Sequence, residues 1–428
     1  MSVSNHDTDI IIAGGGLAGA TLALALARMV PQLRVTVVEA YPLAPDALPD
    51  SYQPSYDARS TALAWGSRRI FEELGLWSEL AAHATPIRHI HVSDRGRFGA
   101  TRLHATDHHQ DALGYVADNR WMGLCLMRAL LATGVNWQAP AEVVAMTPRD
   151  DGVVVVLNAA EGRRELSARC LVVADGGRSG LREQLGFRVE SRAYGQHALI
   201  ANVSTTDSHN FTAFERFTDR GPMALLPHGD PLRAGNTAAL VWTLDDAALE
   251  ALLAMSDADK CRRLQERFGW RLGRFTRIGT CHHYPLTLTT VHESVRPGVV
   301  LVGNAAHTLH PVAGQGFNLA LRGLMALVEQ FSLAVEQGRS PGDLAVLGAY
   351  QQHHRSDWQQ TAGFSDSLIQ LFGQPLPLVG AARDAGLVGL DLLPAAKRWF
   401  ARKAMGTGGR RASIRPPGST FTEQAEHD

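Results

Sequence analysis

Cysteine is scarce and dispersed. The chain of 428 residues has four, Cys125, Cys170, Cys261 and Cys281, and no two stand in a CxxC spacing. That excludes a redox dithiol and a zinc ribbon, and the thiols read as reduced. Charge of either sign is equally sparing. Lys and Arg number 41 against 42 Asp and Glu, a formal charge of −1, so nothing draws the whole molecule toward nucleic acid. Charged residues make up 19%, below the about 25% usual for soluble domains. Hydrophobic residues at 45% exclude a chain disordered throughout. The opening MSVSNHDTD has neither a basic stretch nor an apolar one, so no secretory leader is expected. Complete metal-ligand sets are missing too. His307 and His310 stand three apart, but Pro311 breaks the helix that would align them, and Cys281-His282-His283 and the histidines of 104–109 lack further partners. No metal is expected.

What is present begins with an uncharged run, 10–27, of a length that fits a transmembrane span. It holds Gly14, Gly15, Gly16 and Gly19 and passes from Ile10-Ile11-Ile12 to an Ala/Leu pattern, which reads better as strand, turn and helix. Pro31 ends the helix, and a second strand at 34–38 runs into Glu39. Gly14, Gly16 and Gly19 fit GxGxxG, with the acid twenty positions on. The glycines allow a tight turn and close backbone approach to a pyrophosphate, the helix start offers free N–H groups, and the carboxylate suits ribose hydroxyls. Strand, helix, second strand and acid in register indicate a dinucleotide site, without choosing between FAD and NAD.

Further on, four prolines in 41–56 mark a loop, and 61–74 and 121–131 read as helical. Asp151-Gly152 between apolar runs signals a hairpin, leading to a returning strand at 171–175. Strands at 198–203, 212–217 and 238–243 suggest a second sheet, and 299–302 returns to the first. From 341 the pattern is mainly helical.

Two later segments narrow the reading. Asp175-Gly176-Gly177-Arg178-Ser179-Gly180-Leu181-Arg182 follows a strand, and Gly303-Asn304-Ala305-Ala306-His307 precedes Gly314-Gln315-Gly316-Phe317-Asn318. With the glycine fingerprint, the chain resembles the FAD-dependent aromatic hydroxylases of the p-hydroxybenzoate hydroxylase type. Asn304 where that family commonly has Asp, Phe214-Glu215-Arg216-Phe217-Thr218, and SDSLIQLF at 365–372 resemble the ubiquinone-biosynthesis branch, and within it the hydroxylases of 2-octaprenyl-6-methoxyphenol.

The resemblance implies an α/β fold: an FAD-binding Rossmann-like domain of the glutathione-reductase type from 1–80, 135–190 and 281–345, a second α+β substrate domain from 81–134 and 191–280, a helical C-terminal region at 346–415 and a disordered tail at 416–428. It implies that Gly14, Gly16 and Gly19 hold the FAD pyrophosphate and Glu39 the adenosine ribose. Arg59 is implied near the phosphates, with a plain loop arginine as its alternative. Asp175 is implied at FAD, Arg182 at the pyridine nucleotide, and Asn304 at the ribityl chain. Gly314, Gln315, Gly316 and Asn318 are implied along the isoalloxazine, where N–H groups at a helix start suit the charge gained on reduction. One departure is Arg322-Gly323, where the family often has Arg-Asp.

The implied cycle is hydride transfer from NADPH to FAD, reaction with O2 at flavin C(4a), and oxygen transfer to a polyprenylated phenol. No second glycine fingerprint exists for NADPH, which fits a transient encounter. No base stands out. His228 and His307 are candidates to deprotonate a phenol, or else residues that orient loops. Alternatives to this function are hydroxylation at another ring position, another aromatic substrate, or a flavin-bearing scaffold among other ubiquinone-biosynthesis proteins. So insoluble a substrate implies work at a bilayer or delivery of the substrate by a partner. The apolar stretch 376–393, followed by Lys397, Arg398, Arg402, Lys403, Arg410, Arg411 and Arg415 without an acid, reads either as a peripheral contact with an anionic inner-membrane leaflet from the cytoplasmic side or as a core helix with a solvated basic end.

Overall fold

The computed structural model describes residues 6–42, 48, 49, 51–177, 180–219, 221–308, 314–373, 377–409 and 412, with the backbone alone for 368–373 and 377–382. Arg178, Ser179, His310, Pro311, Arg410, Arg411, Arg415 and the tail 416–428 lie outside the described residues.

The aliphatic triplet makes the central strand Ile10–Ala13, buried throughout and paired in parallel with Val35–Val38 on one side and Cys170–Val173 on the other. Burial on both faces requires such an unbroken apolar run. The six-stranded sheet runs Val295–Arg296, Val299–Leu301, Cys170–Val173, Ile10–Ala13, Val35–Val38, Asn136–Gln138. Helix Leu17–Met29 covers one face together with Asn119–Leu131 and Gln315–Glu336. The opposite face carries the antiparallel strands Ala141–Arg149, Gly152–Ala159 and Gly162–Ala168, with the expected hairpin closing at Arg149 and Gly152.

A larger, nine-stranded sheet forms the second layer. Val189–Thr205, Thr237–Asp245, Gly221–His228, Thr212–Thr218 and His89–Asp94 are neighbours in its middle. Helices Asp246–Leu253 and Asp257–Phe268 pack on one face. Asp245 and Ser256 cap these helices by accepting the N–H groups of Ala248 and Asp259, the interaction that favours such residues at a helix start.

Two expected boundaries fall elsewhere. Asn119–Leu131, expected in the second domain with 81–134, has Trp121, Leu124 and Leu130 buried in the first core. His282–Val291, expected in the first domain, pairs along Val189–Thr205 in the large sheet. Local periodicity identifies an element, and only tertiary pairing decides which layer it joins.

The C-terminal helices Leu344–Gly373, Pro377–Leu392 and Pro394–Ala404 close over this sheet. Pro377–Leu392 is a roof helix. Thr101 donates to the Leu387 carbonyl at 2.7 Å, and Asp391 and Asp384 accept the N–H groups of Arg102 and Gly99. Arg383 lies 3.1 Å from Asp94, with both side chains buried. A Cβ on Gly99 would come 2.8 Å from the Asp384 backbone, so only glycine permits this contact. Among the described residues no helix is long and apolar enough to cross a membrane.

Asn318, 1% exposed, ties the layers together. Its amide oxygen accepts from the Ala64 N–H and the Ser67 hydroxyl, and its NH2 donates to the Ala62 and Gly314 carbonyls, at 2.7 to 2.9 Å. That uses both donors and both lone pairs of an asparagine. Gly314 takes a φ of +60° there, which glycine adopts without strain. Asn318→Leu, similar in shape, leaves these four groups unpaired at about 1–3 kcal/mol each. A fall in the thermal unfolding midpoint of at least about 5 °C is expected; an unchanged midpoint would show that the clamp is not structural.

Candidate active site

A cavity of about 1440 Å³ lies between the two sheets, larger than the about 300–1,000 Å³ of most small-molecule sites. Its first arm is polar backbone, and each glycine of the turn has a separate task there. Gly14 has φ +103°, and a Cβ would come 2.7 Å from the Ala174 carbonyl oxygen. Gly16 faces open space, with nothing within 4 Å of where its Cβ would be. A Cβ on Gly19 would collide with the Gly14 carbonyl, so that position serves helix-to-turn packing. This is the division of labour expected of a pyrophosphate cradle. No side chain caps the helix start at Gly16, which leaves its amides for a ligand.

Glu39 lies at the end of its strand, where its carboxylate accepts the Gly15 N–H at 2.6 Å and the Tyr41 N–H at 2.9 Å. Gly14, Gly16, Glu39, Asp175, Asn304, Gly314, Gln315, Gly316 and Asn318 all line this one cavity. An acid beside bare amides, then a second run of glycine amides at the start of Gln315–Glu336, fits FAD lying along the arm. The Asn318 side chain is itself fully engaged with protein groups.

Two implied contacts are arranged differently. Arg59 is exposed and outside the lining, and its guanidinium donates to the Tyr284 hydroxyl at 2.5 Å. Arg182 is 4% exposed and donates to the Ala305 carbonyl at 3.0 Å, bracing the Gly303–Ala305 turn from behind. The departure at Gly323 has a steric reason, since a Cβ there would come 2.7 Å from the His354 ring. That ring packs beside His307, which stacks on Trp358 with centroids 5.0 Å apart. Burial pushes His307 down to about 3 and His354 down to about 4, so both are neutral packing groups. His228 lies 2.8 Å from Asp118, which also accepts from Tyr52 and Ser60. Burial raises the Asp118 carboxyl, but His228 first and then these hydroxyls outweigh it and hold it below its ordinary value. Neither His228 nor His307 is among the lining residues.

The second arm is apolar, and it holds a group that sequence reasoning passed over. A row of paired residues crosses five strands, Val92, Glu215, Ala224, Val241 and Ile200, and all five line the cavity. Ala213 and Phe217, two positions either side of Glu215, share its face and belong to apolar clusters. Glu215 is the only titratable side chain that the described part of the large sheet contributes to the cavity. Burial pushes its carboxyl up to about 8. Alternation puts Glu215 on one face with Ala213 and Phe217, and the strand pairing decides that this face turns inward.

The sign of its effect on stability follows. The folded protein holds this proton from the ordinary value of 4.5 up to about 8, while the unfolded chain releases it near 4.5, so stability falls as pH rises through that window. Glu215→Gln is uncharged throughout and is expected to raise the melting temperature by about 4 °C or more at pH 8.5 and by little at pH 5. Equal shifts at both pH values would contradict this burial.

Comparison with known proteins agrees with the geometry. Residues 7–364 match the FAD binding domain family. The ubiquinone hydroxylase UbiL of Rhodospirillum rubrum is 36% identical, covering 93% of this chain and 90% of its own. The 3-demethoxyubiquinol 3-hydroxylase of Escherichia coli is 31% identical, over 94% of this chain and all of its own length. Among solved structures, p-nitrophenol 4-monooxygenase PnpA of Pseudomonas putida shares the fold with a TM-score of 0.75 at 19% identity, covering 94% of this chain and 99% of its own. The chain belongs to the FAD binding domain family, as a flavoprotein aromatic hydroxylase.

Proposed function

We propose that this enzyme hydroxylates a polyprenylated phenol in ubiquinone biosynthesis, converting 2-octaprenyl-6-methoxyphenol to the 1,4-benzoquinol with NADPH and O2. The observation that carries the proposal is the continuity of one cavity, from the amide-lined arm through the apolar row to Leu387, Leu390 and Phe400 beneath the roof helix. A soluble aromatic acid would need a cationic partner. The cavity's Arg383 is already engaged with Asp94. When bound, FAD would supply the redox chemistry, accepting a hydride from NADPH and carrying one oxygen atom of O2 to the ring. The chain's own residues supply position and dryness. Gly14 to Leu17 and Glu39 fix one end of the cofactor, Gly314 to Phe317 present amides to the other, and the apolar row excludes water around the ring. The FAD-loaded protein is expected to couple NADPH oxidation to quinol formation from a short-tailed 2-prenyl-6-methoxyphenol. NADPH oxidation without any hydroxylated product would favour the scaffold reading.

A second reading, attack at the ring position of the demethoxy quinol, draws on the Escherichia coli relative. The mass and ring position of the product separate the two.

The tail's exit supports a peripheral contact with a bilayer. Trp399 lines the cavity and is 56% exposed, and Leu392 and Leu393, which lead into its helix, are 72% and 60% exposed. Arg398 and Arg402 are exposed on the same short helix, a charge arrangement that suits anionic lipid. Replacing Leu392 and Leu393 by Ser removes about 1.5–3 kcal/mol of burial per side chain and is expected to weaken cosedimentation with phosphatidylglycerol vesicles at least about tenfold. Unchanged cosedimentation would remove this surface from the proposal.

A further inference from the structure

We propose that Glu215 is a catalytic residue, the group that meets the phenolic hydroxyl of the substrate and takes its proton while the ring is oxidised. The inference rests on the phenol reading above and adds the acceptor that neither His228 nor His307 supplies. Its basis is positional. The strand pairing sets the Glu215 carboxyl in the middle of the row, between Val92 and Ala224, with apolar neighbours above and below on its own strand. It has no hydrogen-bond partner or ion pair among the described residues, and its remaining accessible surface is the cavity's. Buried acids without partners are costly and rare, and each one calls for an explanation.

Two other buried carboxylates have neighbours of opposite or donating character. Asp118 accepts from Tyr52 and Ser60 and lies against His228, and Asp94 lies against Arg383 and Arg97. Glu215 is left for a ligand whose polar end is small. A polyprenylated phenol is such a ligand, with a single hydroxyl donor on an otherwise apolar body.

The chemistry balances without another reactant. The phenol O–H bond breaks, the proton goes to a carboxylate oxygen of Glu215, and the electron pair stays on the phenolate oxygen, where it raises the ring's electron density for oxygen transfer. When the oxidised ring loses its C–H proton to water and regains aromaticity, Glu215 returns its proton to the same oxygen. An acid raised toward 8 by burial is a far better base for this step than an exposed glutamate, because efficiency follows the match of pKa to working pH.

The experiment compares the FAD-loaded wild type, Glu215→Gln and Glu215→Asp with a short-tailed 2-prenyl-6-methoxyphenol and its ring-fluorinated analogue, whose hydroxyl is more acidic. Flavin content serves as the check on folding. Glu215→Gln is expected to keep FAD while its turnover of the plain phenol falls about 10²-fold or more. The deficit should shrink at least about tenfold with the fluorinated phenol, since less help is needed to remove its proton. Glu215→Asp, which keeps the carboxyl, should retain more activity than Glu215→Gln. Equal deficits with both phenols, or none with either, would overturn the assignment. If the wild type hydroxylates another phenol but no prenylated one, the prenyl reading falls, and the same comparison on that phenol decides Glu215. If it hydroxylates no phenol, both fall.

Discussion

The structure turns on how closely a glycine turn approaches the end of the neighbouring strand. At Gly14 the backbone passes so near Ala174 and Asp175 that a Cβ on it could not fit, and Gly19 is held as tightly against Gly14 from the other side. These contacts bring three parallel strand ends to one level and leave Gly16, Glu39, Asp175 and Asn304 around a common opening. The ends of a parallel sheet are where α/β folds place their ligands. Here the turn is also the floor of a larger space whose ceiling is another sheet.

That second sheet could not serve as a ceiling if it were covered on both faces. Helices Asp246–Leu253 and Asp257–Phe268 cover one face. The other stays apolar and is roofed by Pro377–Leu392, whose own fixing is polar, through Asp384, Asp391, Arg383 and the Leu387 carbonyl. The apolar side of this helix, Leu387 and Leu390, is thereby turned to the cavity. The apolar stretch 376–393, read either as a peripheral membrane contact or as a core helix, forms the roof of the cavity. Its Leu387 and Leu390 line the cavity, and its end, at Leu392 and Leu393, is open to water.

The cofactor half of the site was legible because it is made of backbone. A turn that needs glycine, an acid at a strand end and a helix start lie within thirty residues of one another, so spacing alone brings them together. Other assignments depended on contacts across the fold. The families of 119–131 and 282–291 were settled by packing and strand pairing, which local pattern does not carry. Arg59 has Tyr284 within reach and Arg182 has Ala305, partners more than a hundred positions away. His228 and His307 were attractive because histidine titrates near neutrality, yet one is occupied by Asp118 and the other is desolvated between rings. Chemical type proposed them, and environment took them out of the cavity.

Glu215 shows the reverse case. Its residue type and its neighbours in the motif suggested nothing beyond family resemblance, and strand alternation by itself fits an acid on either face. What gives it meaning is the register of four strand pairs, which sets a carboxyl among Val92, Ala224, Val241 and Ile200. An apolar residue there would leave the row better packed and the protein more stable above pH 5. The fold instead keeps an acid at an inward position with no partner among the described residues, while Asp94 lies against two arginines and Asp118 against His228. An acid held by a charged neighbour serves the structure, and an acid without one that faces the cavity waits for a ligand's hydroxyl.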